Sequence, residues 1–207
     1  MSQSAEPNPA VTDAEAHYPV TASSTEFRGR IWDIKADQVT LPGGDQVRRE
    51  YVAHPGAVAV IALDEQGRVL LQRQYRHPVR AQLFEPPAGL LDVAGEPPID
   101  TAKRELAEEA DLRAADWRPL ITYNASPGGS DEAVQVFLAR QLTPVPPAER
   151  FTRTDEEAAL EPVWLDLDQA AALVLGGALH SPTAVVGVLA ACQVRDAAGF
   201  DALEKVA

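Results

Sequence analysis

The chain has 207 residues, and its hydrophobic fraction of 45% is sufficient for a packed core. Eighteen basic against 31 acidic side chains give a formal net charge of −13, which argues against binding to the phosphate backbone of DNA or RNA. The single cysteine, Cys192, excludes an intramolecular disulfide, and the N-terminus has neither the basic start nor the apolar centre of a signal peptide. The longest apolar run, 184–192, is too short to span a bilayer. We therefore expect a cytoplasmic protein that binds neither nucleic acid nor membrane.

The composition changes along the chain and predicts four segments. Residues 1–24 are rich in Ala, Ser, Pro and Glu without periodicity, and we expect a disordered tail there. Short strand-like stretches within 25–53 predict a small antiparallel β unit, which is too short to be stable alone. Residues 54–197 would form the main domain, and residues 198–207 would form a C-terminal tail.

Strand-like and helical patterns alternate in the main domain without a regular βαβ repeat. An apolar strand at 57–63 is followed, after a turn, by a second strand at 68–76 and a short one at 83–85. A helix is predicted over 100–110, with Asp100 as its N-cap. Further strands are predicted at 117–123, 133–139 and 162–165, and further helices at 168–175 and 182–195. This mixture predicts an α+β fold in which helices pack on a mixed sheet.

The first of these helices carries three carboxylates on one side. At about 100° per residue, Glu105, Glu108 and Glu109 fall within an arc of roughly 100°. They lie beside an apolar stripe formed by Ile99, Ala102, Leu106 and Ala110. Like charges this close repel, so Arg104 would relieve part of the repulsion and a divalent cation the rest. Carboxylate oxygens suit Mg²⁺ or Mn²⁺, while a solvated acidic face is the alternative.

The spacing around this helix closely resembles the Nudix box, the signature of Nudix hydrolases. Gly89 and Glu96 are followed by Arg104-Glu105-Leu106-x-Glu108-Glu109-x-x-Leu112, an arrangement that covers some 24 positions. The chain departs from the box twice, because six rather than five residues separate Gly89 from Glu96 and because Asp111 replaces a glycine. The longer loop leaves the helix unshifted, and Asp tolerates the left-handed conformation of a helix end.

The resemblance implies a Nudix α/β/α sandwich whose loop–helix–loop holds Mg²⁺, or alternatively Mn²⁺, against a diphosphate. Glu105 and Glu109 would be the principal metal ligands, assisted by Glu108 and by the carbonyl oxygen of Ala88. Three further box residues would have structural roles: Gly89, Glu96 and Arg104. Of these, Glu96 and Arg104 would brace the site by pairing across the loop.

Features outside the box resemble the ADP-ribose pyrophosphatase subgroup. Pro127 follows the box by fifteen residues within a Ser-Pro-Gly sequence, for which an ordinary turn is the alternative interpretation. Gln74-Tyr75-Arg76 before Phe84–Leu90 fits the same subgroup. Phe27-Arg28-Gly29, Val47–Glu50 and the C-terminal helices are similar too, so the resemblance extends from about Phe27 to about Arg195.

This resemblance assigns substrate contacts to seven residues: Arg49, Glu50, Arg76, Leu90, Ser126, Gly128 and Glu132. Arg76 would bind a phosphate, for which a guanidinium is well shaped. Gly128 and Glu132 would line the site of the terminal ribose. Relatives stack an aromatic residue on adenine near positions 30 and 31; here Trp32 is adjacent, with core packing as its alternative role. A solvated strand edge is the alternative for Arg49.

The general base is expected outside the box, in the acidic segment 153–160. We predict Glu156, with Glu157 as the second choice, and a solvated charge run is the alternative. The resemblance thus implies Mg²⁺-dependent hydrolysis of the diphosphate of ADP-ribose to AMP and ribose 5-phosphate by a homodimer. Two other functions remain open: a Nudix pyrophosphatase for another nucleotide sugar or dinucleotide, such as GDP-mannose, FAD or NADH, and a non-catalytic nucleotide-sensing Nudix domain.

Overall fold

The computed structural model describes residues 11–153 and 159–206. The chain divides between Val52 and Ala53 into two compact units. The N-terminal unit is a three-stranded sheet with the strand order β1-β2-β3. Its strands are β1 (Val20–Arg28), β2 (Asp33–Thr40) and β3 (Gln46–Ala53). Within the described ranges, no helix has the length and apolar character needed to cross a membrane.

The first strand begins at Val20, so the prediction that 20–24 belong to a disordered tail was wrong. Strand β1 pairs antiparallel with β2, and the Thr21 hydroxyl donates to the Gln38 carbonyl at 3.3 Å. All nine residues of β1 are exposed. The strand is therefore held by backbone pairing rather than by an apolar face, and composition alone does not reveal such a strand.

The second unit combines strands and helices, as predicted for an α+β fold. Its strands are β4 (Ala57–Ala62), β5 (Arg68–Arg76), β6 (Ala81–Glu85), β7 (Ala88–Leu90), β8 (Leu112–Asn124), β9 (Ala133–Pro144) and β10 (Glu161–Asp166). Its helices are α1 (Pro98–Ala110), α2 (Leu167–Leu175) and α3 (Pro182–Ala197). Strands β8 and β9 are each longer than predicted, because they pair with each other well beyond their apolar centres.

The strands of this unit form one mixed and one antiparallel sheet. The four-stranded sheet has the order β7-β4-β9-β8, in which β4 and β9 are parallel and the other neighbours are antiparallel. The three-stranded sheet has the order β10-β5-β6, with antiparallel pairs throughout. The predicted mixed sheet is therefore confirmed.

Strands β4 and β9 are buried on both faces, which explains the nearly continuous apolar sequence of β4. On one face, Ile61 and Val136 belong to a core cluster that includes Val188 of α3. On the other face, Val60 and Phe137 belong to a cluster that includes Leu106 of α1. Helix α1 thus covers one side of the sheet and α2 and α3 cover the other, so the predicted α/β/α sandwich is confirmed.

The C-terminal residues pack on this domain and are not a separate tail. The Val206 backbone N–H donates to the Trp117 carbonyl at 2.9 Å. Arg118 Nη1 donates to the Asp201 carbonyl at 3.1 Å, and its Nε donates to the buried carboxylate of Asp116 at 3.1 Å. The contacts of Asp201 and Val206 join residues more than 80 positions apart, so local sequence patterns do not predict them.

Helix α3 lies very close to the central sheet at Gly187. A Cβ atom built on this glycine would lie 2.6 Å from Cδ1 and 2.9 Å from Cγ1 of the buried residue Ile61. Real side chains do not come so close, so any larger residue here must push α3 away from the sheet or distort Ile61.

We expect Gly187→Val to lower the free energy of unfolding by about 2 kcal/mol, through overpacking of this contact. The matched control is Gln193→Val, which places the same β-branched side chain at an exposed position of α3. Its effect should stay within about 0.5 kcal/mol. Urea denaturation of both variants measures the difference, and equal stabilities would contradict the close packing of α3.

Candidate active site

Helix α1 begins at Pro98 rather than at Asp100, so the predicted N-cap role of Asp100 was wrong. Proline is favoured at the first helical position because it has no N–H group to leave unpaired. Asp100 lies instead in the first turn, where its negative charge interacts favourably with the helix dipole. At the other end, Asp111 adopts the predicted left-handed conformation, with φ 54° and ψ 35°. The substitution of the box glycine therefore leaves the helix end intact.

The acidic residues of α1 lie at the margin between the core and solvent. The predicted apolar stripe faces inward, with Ala102 and Leu106 fully buried and Ile99 packed against their cluster. The side chain of Glu105 is only 12% exposed and that of Glu108 is 29% exposed. These carboxylates are thus partly withdrawn from water, which strengthens their mutual repulsion.

Strand β7 passes so close to α1 at Gly89 that a Cβ atom there would overlap the Glu105 side chain in its present position. A Cβ atom built on Gly89 would lie 2.2 Å from both Cδ and Oε1 of Glu105 and 2.4 Å from its Cγ. The backbone of Gly89 has no positive φ, so conformational freedom is not the reason for glycine. The reason is steric, since the Glu105 side chain occupies the space that a Cβ atom would need.

Arg104 pairs with three carboxylates of the box. Its Nη1 donates to Glu105 Oε1 at 2.7 Å and to Glu108 Oε2 at 3.1 Å. Its Nη2 donates to Glu96 Oε2 at 3.2 Å, across the loop that precedes the helix. The same Glu96 oxygen accepts a hydrogen bond of 2.8 Å from the buried Thr101 hydroxyl. The guanidinium therefore compensates much of the negative charge that the sequence concentrates here.

These contacts shift the pKa values of both partners toward their charged forms. Hydrogen bonds from Arg104 and then from Thr101 lower the pKa of Glu96 below its ordinary value. Burial alone would lower the pKa of Arg104, but its hydrogen bond to Glu96 and the charges of Glu105 and Glu108 raise it instead. These contacts therefore stabilise the charged forms of Glu96 and Arg104.

The third carboxylate of the predicted ligand set, Glu109, is held by the backbone of β7. The Ala88 N–H donates to Glu109 Oε2 at 3.0 Å. The Glu109 carbonyl in turn accepts a hydrogen bond of 2.7 Å from the amide of Gln72, a buried residue of β5. Leu90, two residues beyond Ala88, is half-buried and pairs with Ala57 of β4. Glu109 and Ala88 are thus brought together, although they are 21 residues apart.

Within residues 11–153 and 159–206, no three His, Cys, Asp or Glu side chains converge as a ready-made metal cluster. The hydrogen bonds explain this, because Arg104 draws Glu105 and Glu108 while Ala88 holds Glu109. The three carboxylates are thus distributed over separate donors on α1 and β7.

Arg153 anchors the segment before the predicted general base to the end of α1. Its Nε donates to the Glu108 carbonyl at 2.7 Å, and its Nη2 lies 2.8 Å from Asp111 Oδ2. No local pattern predicts a role for Arg153. Its ion pair depends on the Asp111 carboxylate, at a position where the Nudix box normally has glycine, which has no side chain. Glu156 and Glu157 lie outside the described residues.

The Ser-Pro-Gly sequence forms a tight turn between β8 and β9. The Ser126 carbonyl accepts hydrogen bonds of 2.9 Å from the N–H groups of Gly129 and Ser130. Gly128 lies at the open tip of the turn, and a Cβ atom built on it would meet nothing within 4 Å. Glu132 follows the turn, and its N–H donates to the Ser130 hydroxyl at 3.1 Å.

Arg76 at the end of β5 pairs with Glu85 at the end of β6. Its Nε and Nη2 lie 3.0 Å and 2.5 Å from Glu85 Oε2. Burial, followed by the charges of Glu132 and Glu85, raises the pKa of Tyr123 to about 12. Glu85 and Tyr123 were not predicted as site residues, because only the pairing of strands brings them near Arg76 and Glu132.

The predicted substrate residues of the N-terminal unit lie at an exposed part of that unit. Arg49 and Glu50 are exposed on β3, and Glu50 accepts a hydrogen bond of 2.7 Å from Arg48 Nε. Trp32 is 41% exposed, so its alternative role in core packing was wrong. It borders a hollow of about 290 Å³ that is also lined by Phe27, Gly29, Arg30 and Ile31.

Comparison with known proteins agrees with this architecture. The family model described as NUDIX domain matches residues 53–183. An ADP-ribose pyrophosphatase of Mycobacterium tuberculosis is 45% identical over 177 residues, which cover 86% of this chain and 84% of that protein. An ADP-ribose pyrophosphatase of Bacillus subtilis is 38% identical over 148 residues, 72% of this chain and 78% of that protein.

The fold has a solved counterpart. The crystal structure of an ADP compounds hydrolase superposes with a TM-score of 0.73 at 20% identity, covering 91% of this chain and 99% of that one. At this identity the likeness concerns the fold alone, and the sequence matches carry the relationship further. The NUDIX domain model covers more than half of the chain, and its match includes the complete box from Gly89 to Leu112. The chain therefore belongs to the Nudix family of hydrolases.

Proposed function

We propose that the protein hydrolyses the diphosphate of ADP-ribose to AMP and ribose 5-phosphate. The observation that carries this proposal is the apposition of Glu105 and Gly89, which brings a box carboxylate against β7 in a space that only glycine leaves open. The two relatives described as ADP-ribose pyrophosphatases support ADP-ribose as the substrate. The presence of all four box glutamates argues against a domain that only senses nucleotides.

The residues of α1 and β7 fit a Mg²⁺ ion, with Mn²⁺ as the alternative. Glu105 and Glu109 would be the principal ligands, assisted by Glu108 and by the carbonyl oxygen of Ala88. All of these are oxygen donors, which both ions prefer. The hydrogen bond between Ala88 and Glu109 already holds a strand and a helix ligand together. When bound, the cation would neutralise charge on the diphosphate.

Several side chains would orient the substrate around this centre. Arg76 would donate to a phosphate in the plane of its guanidinium, while Glu85 fixes its direction. Ser126, Gly128 and Glu132 would line the site of the terminal ribose, and Leu90 would contact the substrate from β7. Arg49 and Glu50 are exposed in the N-terminal unit and would contact the substrate, and the exposed Trp32 would stack on adenine.

Glu156 would act as the general base that removes a proton from the attacking water, with Glu157 as the second choice. Arg153 supports this assignment, since it ties the chain three residues before Glu156 to the helix that carries the box glutamates. The Asp111–Arg153 ion pair thus holds the chain at Arg153, just before the residues proposed as the base.

We also propose that the enzyme is a cytoplasmic homodimer. Support for a dimer comes from the N-terminal sheet, in which Ala36 is the one buried hydrophobic residue among the described residues 11–52. Such a sheet is stabilised when a second surface covers it. The single cysteine fits a reducing compartment.

Product analysis with Mg²⁺ tests the substrate assignment. We expect AMP and ribose 5-phosphate from ADP-ribose, with a higher kcat/KM than for GDP-mannose, FAD or NADH.

Glu105→Gln should lower kcat by more than about a hundredfold, because it removes a charged ligand. The matched control is Glu65→Gln in an exposed turn, which should retain wild-type turnover. Undiminished turnover of Glu105→Gln would contradict the ion site, and a different preferred substrate would contradict the assignment to ADP-ribose.

Separate substitutions identify the general base. Glu156→Gln should lower kcat by about a hundredfold or more and flatten the pH dependence of kcat on its acidic side, because the titrating base is lost. Glu157→Gln should lower kcat much less. It serves as the matched control, because it makes the same change at the next residue of the acidic run. The reverse pattern would make Glu157 the base, and little change in either variant would place the base elsewhere.

A further inference from the structure

A turn formed by His54, Pro55 and Gly56 connects the two loops that line the proposed site. The backbone N–H of His54 donates to the Asp131 carboxylate at 2.7 Å, in the loop that carries Glu132. The carbonyl of Gly56 accepts a hydrogen bond of 3.1 Å from the Leu91 N–H, next to the strand that begins the Nudix box. The turn therefore fixes the distance between the Ser-Pro-Gly loop and the box.

Gly56 makes this tight connection possible. Its φ of +89° is rarely adopted by other residues. A Cβ atom there would also lie 3.3 Å from Leu91 Cδ1 and 3.4 Å from the Ala133 carbonyl oxygen. The backbone of the turn is thus fixed on both sides, and so is the starting point of the His54 side chain.

The imidazole of His54 has a defined orientation and tautomer. Its side chain is 11% exposed, and its Nδ1 accepts a hydrogen bond of 3.1 Å from the Gly56 N–H. A nitrogen that accepts a hydrogen bond carries no proton, so the proton of the neutral ring is on Nε2. Nε2 lies 3.9 Å from Glu132 Oε1. The donor nitrogen thus lies beside a carboxylate that a shift of less than about 1 Å would bring into hydrogen-bonding distance.

We propose that His54 is a positioning residue whose Nε2–H orients the Glu132 carboxylate in the site of the terminal sugar. This inference rests on the proposed function, which gives Glu132 its role in ribose binding. Glu132 is partly exposed, and a glutamate with no fixed donor samples several rotamers. A donor held by a rigid turn would restrict Glu132 to the rotamer that meets the ribose hydroxyls.

Two substitutions of His54 separate the roles of the ring nitrogens. His54→Asn keeps an acceptor near the position of Nδ1 but removes the donor at Nε2, whereas His54→Gln places an amide donor near Nε2. We expect His54→Asn to raise KM for ADP-ribose roughly fivefold with a smaller change in kcat. His54→Gln should restore most of the loss. His180→Asn is the control, because that ring contacts Gly177 in the turn between α2 and α3.

A double-mutant cycle with Glu132→Ala tests whether His54 acts through Glu132. If it does, adding His54→Asn to Glu132→Ala should change KM little further. Fully additive losses with equal effects of Asn and Gln would overturn the proposal, and thermal melting checks that each variant is folded. A long-range ¹H–¹⁵N NMR spectrum supplies a readout that needs no substrate. It should identify the Nε2–H tautomer of His54 and a resonance shift on Glu132→Ala.

The two proposals fail in different ways. Wild-type protein that releases no AMP from ADP-ribose would contradict the proposed function, while the tautomer and the resonance shift would still support the contact between His54 and Glu132. An active wild type whose His54→Asn variant resembles His180→Asn in KM, with no resonance shift on Glu132→Ala, would overturn the positioning role alone.

Discussion

Repulsion among the carboxylates of α1 is the constraint on which the rest of the site depends. Glu105, Glu108 and Glu109 lie along one side of a helix whose neighbouring face is buried, so water screens their charges incompletely. Each has a defined donor: Arg104 bonds to the first two, and the Ala88 N–H bonds to the third. These donors make it possible for the helix to keep three neighbouring acids that a divalent cation can later use.

The fold supplies the rigidity that this arrangement needs. Leu106, on the buried face of α1, packs in the same cluster as Val60 and Phe137 of the central sheet. This packing holds the helix against the sheet that contains β7. Strand β7 is in turn paired with β4, and its Gly89 leaves room for the Glu105 side chain. The position of a charged side chain is therefore determined by apolar packing behind it and by a missing Cβ atom in front of it.

Local patterns predicted the parts of this site that depend on periodicity. The apolar stripe of α1, the apolar strand β4 and the left-handed end at Asp111 were all predictable, because each follows from residues within a few positions of one another. Helical periodicity also predicted that Glu105, Glu108 and Glu109 lie on the same side of α1. The start of α1 was predicted two residues late, since Asp100 is a good capping residue but Pro98 is an equally good first helical residue.

Contacts between distant segments were not predictable in this way. His54 and Asp131 are 77 residues apart, and Arg153 reaches back 45 residues to the Glu108 carbonyl. Strand β1 is exposed at every position and is stabilised by its pairing with β2. No hydrophobic pattern in its sequence therefore predicts it. Such features depend on which strands become neighbours, and the sequence of either partner alone does not contain that information.

Part of the net negative charge of the chain is concentrated at the proposed ion site. Seven acidic and two basic residues lie between Asp92 and Asp111, so the negative charge is concentrated where a cation would bind and not spread evenly. An acidic protein can then bind a diphosphate, because the cation reverses the sign of the field that the substrate meets.

The Mn²⁺ affinity of the Gly89→Ala variant, determined by electron paramagnetic resonance, tests most directly whether Glu105 and Gly89 form the ion site. The new methyl group must displace the Glu105 side chain, so we expect Mn²⁺ binding to weaken by about tenfold or more, with a parallel loss of kcat/KM for ADP-ribose. Gly43→Ala is the control, since a Cβ atom there meets nothing within 4 Å. A folded Gly89→Ala protein with wild-type Mn²⁺ affinity and activity would contradict the central claim that the apposition of Glu105 and Gly89 forms the ion site.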